Sequence, residues 1–325
     1  MRTLPLLAIL CLSCAPHPPP RPTPAPPAPT TDAAPAPTRL RVLNGSAGPL
    51  WIFYQIGLGG GLLATPHQLQ LAAGAHVDYP IPAAGLAATR FWAGSGCDAT
   101  GNNCVVGQSG GPASQGFTCP AAGCAPPVDS KFEGTFGCLP SVPLAQCRPN
   151  PSSPTHDPLP RTDSWDTSMV DGFTMPFRVR VVGACPGGPA GGAIDCAAVA
   201  MGLCPTAEDL STGGAFPALA SSNLRVLTPQ SVLVAGCYSD CGRLTFAQWG
   251  GLSYAPSAPQ AQAYCCPTPP VTPGACRTGP VARTGYTGLV HRTCPQVYAY
   301  GYDDGTGLFS CPAGVRYEVT FYAPQ

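Results

Sequence analysis

Charge is what this chain has least of. Charged residues make up 10% of its 325 residues, the formal net charge is zero, and Lys131 is the sole lysine. Releasing counterions from a phosphate backbone takes clustered Lys and Arg, so the composition argues against a nucleic-acid partner. Near-neutrality also argues against long-range steering of a strongly charged substrate. Long apolar runs are missing as well: the N-terminal run Leu4 to Leu12 is too short to span a bilayer as a permanent helix. Extended helical patterns are scarce, whereas Gly (39) and Pro (43) supply a quarter of the residues. Such a chain is built of many turns and loops that need other means to hold them.

Cysteine supplies those means. Sixteen of the 18 cysteines lie beyond residue 90. They are Cys97, Cys104, Cys119, Cys124, Cys138, Cys147, Cys185, Cys196, Cys204, Cys237, Cys241, Cys265, Cys266, Cys276, Cys294 and Cys311. An even count with a Cys-Cys doublet and short loops reads as a disulfide framework, which persists only in oxidising compartments. Zinc is the competing reading for Cys237 and Cys241, but no partner pair at zinc-site spacing and no nearby His accompany them. No metal and no cofactor are implied.

The N-terminus has the form of a targeting segment: Arg2, the apolar run, then Ser13-Cys14. A small residue and a cysteine after such a run resemble a bacterial lipoprotein cleavage site, with residues 1–14 as the signal region and Cys14 lipidated, although Cys11 stands where that motif prefers Leu. Plain secretion with cleavage after Ala15 is the alternative, with Pro16 directly beyond the cut. Ala15 fits export of a lipoprotein to an outer membrane, and the Ala, Pro, Gly and Arg bias fits a G+C-rich bacterial source. Residues 15–38 are Pro-, Ala- and Thr-rich and cannot form a core. As polyproline II, at about 3.1 Å per residue, they would reach roughly 70 Å as a tether.

Residues 39–325 form the folded part. Strand patterns are clear at Leu40–Leu43, Leu50–Tyr54, Phe177–Val182 and Tyr317–Tyr322. The Ala-rich stretch Asp195–Leu203, stopped by Cys204-Pro205, predicts one short helix. Short strands between Gly/Pro turns predict a mainly β, sandwich-like fold with disulfide-rich loops. Gly137–Arg161, Thr212–Gln230 and Gly250–Ala263 read as loop insertions, the first clipped by Cys138 and Cys147.

Three segments carry a family resemblance: Arg90-Phe91-Trp92-Ala93-Gly94-Ser95-Gly96-Cys97, Asp163 through Trp165-Asp166 to Asp171-Gly172-Phe173, and Tyr298-Ala299-Tyr300-Gly301-Tyr302-Asp303-Asp304 running on to Cys311. In these the chain resembles the thaumatin-like proteins, secreted disulfide-rich β proteins, over residues 39–325. The resemblance implies the pairs Cys97–Cys104, Cys185–Cys311, Cys196–Cys294, Cys204–Cys237, Cys241–Cys265 and Cys266–Cys276. The chain departs from the family where the family usually ties its first strand to its last by a disulfide: those positions are Ser46 and Tyr322 here, so both partners are missing together. A further family cysteine is replaced by Ser109, so Cys119 is expected to pair with Cys124, and Cys138 with Cys147.

The same resemblance implies a cleft lined by Arg90, Glu133, Asp166, Asp171 and Asp303. Glu133 enters this set only with a one-residue insertion after Val128. Carboxylates facing one cleft accept hydrogen bonds from sugar hydroxyls, and an arginine among them splits their pKa values. The family implication is β-1,3-glucan binding, and in some members weak endo-hydrolysis, with Glu133 as acid, Asp171 as base or nucleophile and Asp166 tuning both. Two other readings stand beside it: acids that merely cap turns and pair with Arg90, and a surface inhibitor or adhesin in which the cleft is incidental. A monomer is expected. Gly107-Gln108-Ser109-Gly110-Gly111 matches a nucleophile elbow, but the strand, turn and helix that the elbow needs are not in the pattern. Asn44-Gly45-Ser46 is a glycosylation acceptor only if the source modifies such sites.

Overall fold

Alternation of buried and exposed side chains sets the strands. In the computed structural model, which describes residues 38–57, 63, 66–107, 127–228, 233–247 and 249–325, fourteen are described. They are β1 (Leu40–Asn44), β2 (Leu50–Ile56), β3 (Gln68–Leu71), β4 (His76–Tyr79), β5 (Leu86–Gly94), β6 (Lys131–Phe136) and β7 (Thr162–Ser168). After them come β8 (Gly172–Phe173), β9 (Phe177–Val182), β10 (Ala193–Asp195), β11 (Arg225–Leu227), β12 (Val234–Tyr238), β13 (Phe309–Pro312) and β14 (Arg316–Phe321). Helices are short: α1 (Asp240–Thr245), α2 (Gln262–Cys265), α3 (Pro273–Thr278), α4 (Gly285–Thr293) and α5 (Asp304–Gly307). The lipidation residue Cys14, residues 15–37, Ser109 and the pair Cys119 and Cys124 lie outside the described residues.

A five-stranded sheet, ordered β10-β9-β14-β1-β4, faces a six-stranded one, ordered β13-β7-β6-β5-β2-β3. Aromatic rings fill the space between them. Tyr317 of β14 meets Trp165 of β7 at 5.2 Å and Phe132 of β6 at 5.8 Å, and Tyr79 of β4 meets Phe91 of β5 at 4.8 Å. Each ring buried this way contributes about 1.5–3 kcal/mol, with specific edge and offset geometries adding to that. One ion pair is sealed into the same interior: Arg39 Nη2 meets Asp163 Oδ1 at 2.5 Å, both side chains almost fully buried. Asp163 also accepts from the Gly137 amide (2.7 Å) and the Tyr317 hydroxyl (3.0 Å), so its oxygens are satisfied despite burial.

The first and last strands lie side by side. β1 and β14 pair in parallel from Leu40↔Tyr317 to Asn44↔Phe321, and the Gly45 amide extends the ladder to Phe321 O (2.8 Å). Where the resembling family ties these strands by a disulfide, the Tyr322 ring covers Gly45 so closely that a Cβ there would lie 2.6 Å from its Cε1. Ser46 is turned to its own loop, donating to Asn44 Oδ1 or Gly48 O, each at 2.6 Å. The glycosylation reading fails at the same place, because Asn44 is 1% exposed and its amide donates to the carbonyls of Gly48, Leu71 and Ala72.

Seven disulfides occur among the described residues: Cys97–Cys104, Cys138–Cys147, Cys185–Cys311, Cys196–Cys294, Cys204–Cys237, Cys241–Cys265 and Cys266–Cys276. The last four gather the small β11-β12-β8 sheet and the helices. Of the helix expected over Asp195–Leu203 only the end forms, as a 3-10 turn at Met201–Leu203 that stops at Cys204. Ile194 and Asp195 instead pair with Val179 and Arg178 as β10, and the Cys196 amide bonds to Phe177 O (2.9 Å). A stretch this short has no helical stability of its own, so the sheet edge wins. The longest helix is α4, a sequence rich in Gly and Thr. Its first amides, Gly285 (2.9 Å) and Tyr286 (2.8 Å), are capped by the Glu208 carboxylate from a distant loop.

Candidate functional site

The outer face of the six-stranded sheet carries the polar residues, because alternation sends Phe91, Phe132 and Trp165 inward. Register does the rest. Arg90 of β5 lies opposite Glu133 of β6, and Glu133 lies opposite Asp166 of β7, so the three form one rung across three strands. Arg90 Nε stands 3.4 Å from Glu133 Oε1, with 44% of the Arg90 side chain and 27% of the Glu133 side chain exposed. This rung, with Thr135 and Ser164 one step along, lines a cleft of about 290 Å³.

Asp166 is the perturbed group. Burial raises its pKa well above the usual carboxylate range, the neighbouring Glu133 charge and then Asp304 add to the rise, and Arg90 and Lys131 only partly oppose it.

The other predicted residues stand in different surroundings. Asp171, which does not line this cleft, is paired with Lys131, whose ammonium also donates to Pro127 O (3.3 Å). Burial alone would lower the Lys131 pKa, yet Asp171, Glu133 and Asp129 around it raise it overall. Gly172 makes this placement possible: its φ is +147°, and a Cβ there would fall 2.1 Å from Cys237 O. The Asp-Gly-Phe motif thus pairs β8 antiparallel with β12, Gly172 opposite Tyr238, directly after Asp171. Asp303, by contrast, is 4% exposed; its carboxylate accepts from the Ala299 amide (3.0 Å) and meets His291 Nε2 (2.8 Å). The structure therefore brings Arg90, Glu133 and Asp166 together, pairs Asp171 with Lys131 outside the cleft lining, and spends Asp303 on Ala299 and His291.

Two contributors went unread in the sequence. Lys131 is two residues from Glu133 in a strand, so period-2 alternation would have put both on one face. Asp304, next to Asp303, is 42% exposed, pairs with Arg277 at 2.6 Å, accepts from the Tyr298 hydroxyl at 2.8 Å and acts on Asp166. No sequence signal separates the two adjacent aspartates. Among the described residues no group of three or more His, Cys, Asp or Glu could hold a metal ion, and no helix is long and apolar enough to cross a membrane.

A disulfide-stapled, mainly β protein with an acidic cleft on one sheet is the class that fold and site define. The chain belongs to the thaumatin family, whose model matches residues 49–323. It is 29% identical over 265 residues to a glucan endo-1,3-beta-glucosidase of Prunus avium, covering 80% of each chain. It is equally 29% identical over 265 residues to thaumatin-like protein 2 of Prunus persica, covering 80% of this chain and 81% of that one. Among solved structures, a thaumatin-like xylanase inhibitor matches at 14% identity, covering 87% of this chain and 98% of the other, with a TM-score of 0.33.

Proposed function

We propose that the chain binds polysaccharide, of the β-1,3-glucan class, in the cleft of Arg90, Glu133 and Asp166. The observation that carries this reading is the single rung of those three side chains, in which Asp166, its pKa raised mainly by burial, stands next to a second acid and a guanidinium. Such a rung offers donors and acceptors side by side, which is what neighbouring sugar hydroxyls require. The name of the Prunus avium relative supports β-1,3-glucan as the class. Weak endo-hydrolysis is the second activity of the same rung. There Glu133 is the acid and Asp171 the base or nucleophile, with Asp166, its pKa raised mainly by burial, tuning both. Seven disulfides fit work in an oxidising, extracytoplasmic compartment. In this reading a lipid on Cys14 and the Pro-rich residues 15–38 hold the domain at a surface.

Co-sedimentation with insoluble β-1,3-glucan, with cellulose and chitin as controls, tests it. Selective pull-down that is lost in Glu133→Gln and in Asp166→Ala is the expected result. No binding to any of the three sinks the proposal and leaves a protein-interaction role in its place.

A further inference from the structure

The outer face of the six-stranded sheet continues past β7. Ser164, Asp166 and Ser168 of β7 share that face, because strand residues two apart point the same way. Ser168 forms a parallel bridge with Tyr298, whose amide donates to Thr167 O (3.0 Å) and whose carbonyl accepts from the Met169 amide (2.8 Å). Bridged residues point to one side of a sheet, so Tyr298 stands on the face that carries Asp166. Its neighbours Val297 and Ala299 are buried, as the alternation requires. Since β6 flanks β7 on the other edge, Tyr298 lies across β7 from Glu133.

This tyrosine fixes a second arginine–carboxylate pair. Its hydroxyl donates to Asp304 Oδ1 at 2.8 Å, and Arg277 Nη2, from α3, donates to Asp304 Oδ2 at 2.6 Å. Arg277 is anchored in turn by its Nε, which donates to Tyr302 O at 2.9 Å. The Arg277 and Asp304 side chains are 46% and 42% exposed, so the pair is held in place yet open to a ligand. Each partner keeps lone pairs or N–H groups that these bonds leave unused. A Cβ at Gly301 or Gly305 would meet nothing within 4 Å, so the loop that carries Asp304 borders open space. Asp303 cannot take this part, since its carboxylate is spent on Ala299 and His291.

The arrangement mirrors the other end of the cleft, where Arg90 and Glu133 form the first such pair. Asp166, on the strand between, feels both ends: the charges of Glu133 and of Asp304 add to the rise in its pKa that burial begins. Neighbouring strands lie about 4.8 Å apart, so the strand of Arg90 and the Tyr298 segment are separated by about 14 Å. That is further than one hexose ring reaches.

Resting on the polysaccharide reading, we propose that Asp304 and Arg277 form a second binding pair, holding a different sugar unit of the same chain that Arg90 and Glu133 hold. The chain then runs across the strands, over Asp166, and the protein selects long polysaccharide over short fragments.

Calorimetry on the full chain with a β-1,3-linked glucose disaccharide and hexasaccharide tests this. Two variants go with it, Asp304→Asn and Arg277→Met. Both residues are surface groups whose pairing contributes little to stability, so thermal melts should stay close to wild type. Wild type should bind the hexasaccharide about tenfold or more tighter than the disaccharide, the worth of one hydrogen bond to a charged group. In each variant that ratio should fall severalfold. Equal affinity of wild type for the two sugars, or a ratio that either variant keeps, overturns the second pair and leaves the first end of the cleft standing. If wild type binds neither sugar, the polysaccharide reading falls and the second pair falls with it.

Discussion

Replacing Asp240 by Asn should stabilise this protein, and more so as pH rises. The carboxyl is buried at the first turn of α1, close to Glu208, with the Tyr264 and Tyr286 side chains and Asp171 nearby. Its folded-state pKa of about 8 stands above the roughly 3.9 of an unfolded aspartate. The raised value means that between about pH 4 and 8 the native state holds a proton that the unfolded chain releases. Stability therefore falls by about 1.4 kcal/mol per pH unit through that window, and the loss is complete above the folded pKa. Below about pH 4 both states are protonated and the group costs nothing. At pH 7 the accumulated cost is about 4 kcal/mol on this reckoning. Asparagine keeps an oxygen for the Thr284 hydroxyl and has no charge to bury. Guanidinium unfolding with disulfides intact, run on both proteins at pH 4, 5.5, 7 and 8.5, measures the difference. It should be near zero at pH 4 and grow steadily to several kcal/mol. Parallel stability curves, or a difference that shrinks as pH rises, would refute the reasoning.

Asp166 answers to its two neighbours with opposite signs. Carboxyl NMR should show its titration midpoint falling in Glu133→Gln and rising in Arg90→Ala, and no movement in either would dissolve the coupled rung. Arg39→Met leaves Asp163 buried without its cation, so denaturant unfolding should show a loss of about 3–5 kcal/mol, whereas a loss within 1 kcal/mol would mean the pair is incidental. Gly172→Ala forces a Cβ toward Cys237 O at a φ of +147°, so the β8–β12 amides should exchange faster with solvent and Asp171 should be displaced. Reversion of that variant to wild-type exchange rates on a β-1,3-glucan ligand would contradict the strain account. Removing Cys185–Cys311, 126 residues apart in sequence, should cost about 5 kcal/mol in the loop-entropy model, against about 3 for Cys138–Cys147, 9 apart. Equal losses in thermal melts would show that loop length is not what matters here.

Period-2 patterns, cysteine count and three motif segments are local quantities, and what depends on them was readable from the sequence. That includes β9 at Phe177–Val182 to the residue and the mainly β class, whereas the set Arg90, Glu133, Asp166, Asp171 and Asp303 came from the family resemblance, and one sheet face displays its first three. Three matters belonged to the tertiary structure alone. The start of the Ala-rich Asp195–Leu203 became a strand edge because β9 offered partners, only Met201–Leu203 kept a helical turn, and poor helix formers became α4 with Glu208 capping them from far away in the chain. Of two adjacent aspartates, Asp303 turned in to its own loop and Asp304 out toward Asp166, a choice made by the His291 and Ala299 contacts. Asp240 is an ordinary acid on the page. Only packing removes its water, leaves one oxygen unpaired and pushes its pKa up to about 8, because desolvation is set by everything that surrounds a residue and by nothing in its immediate sequence.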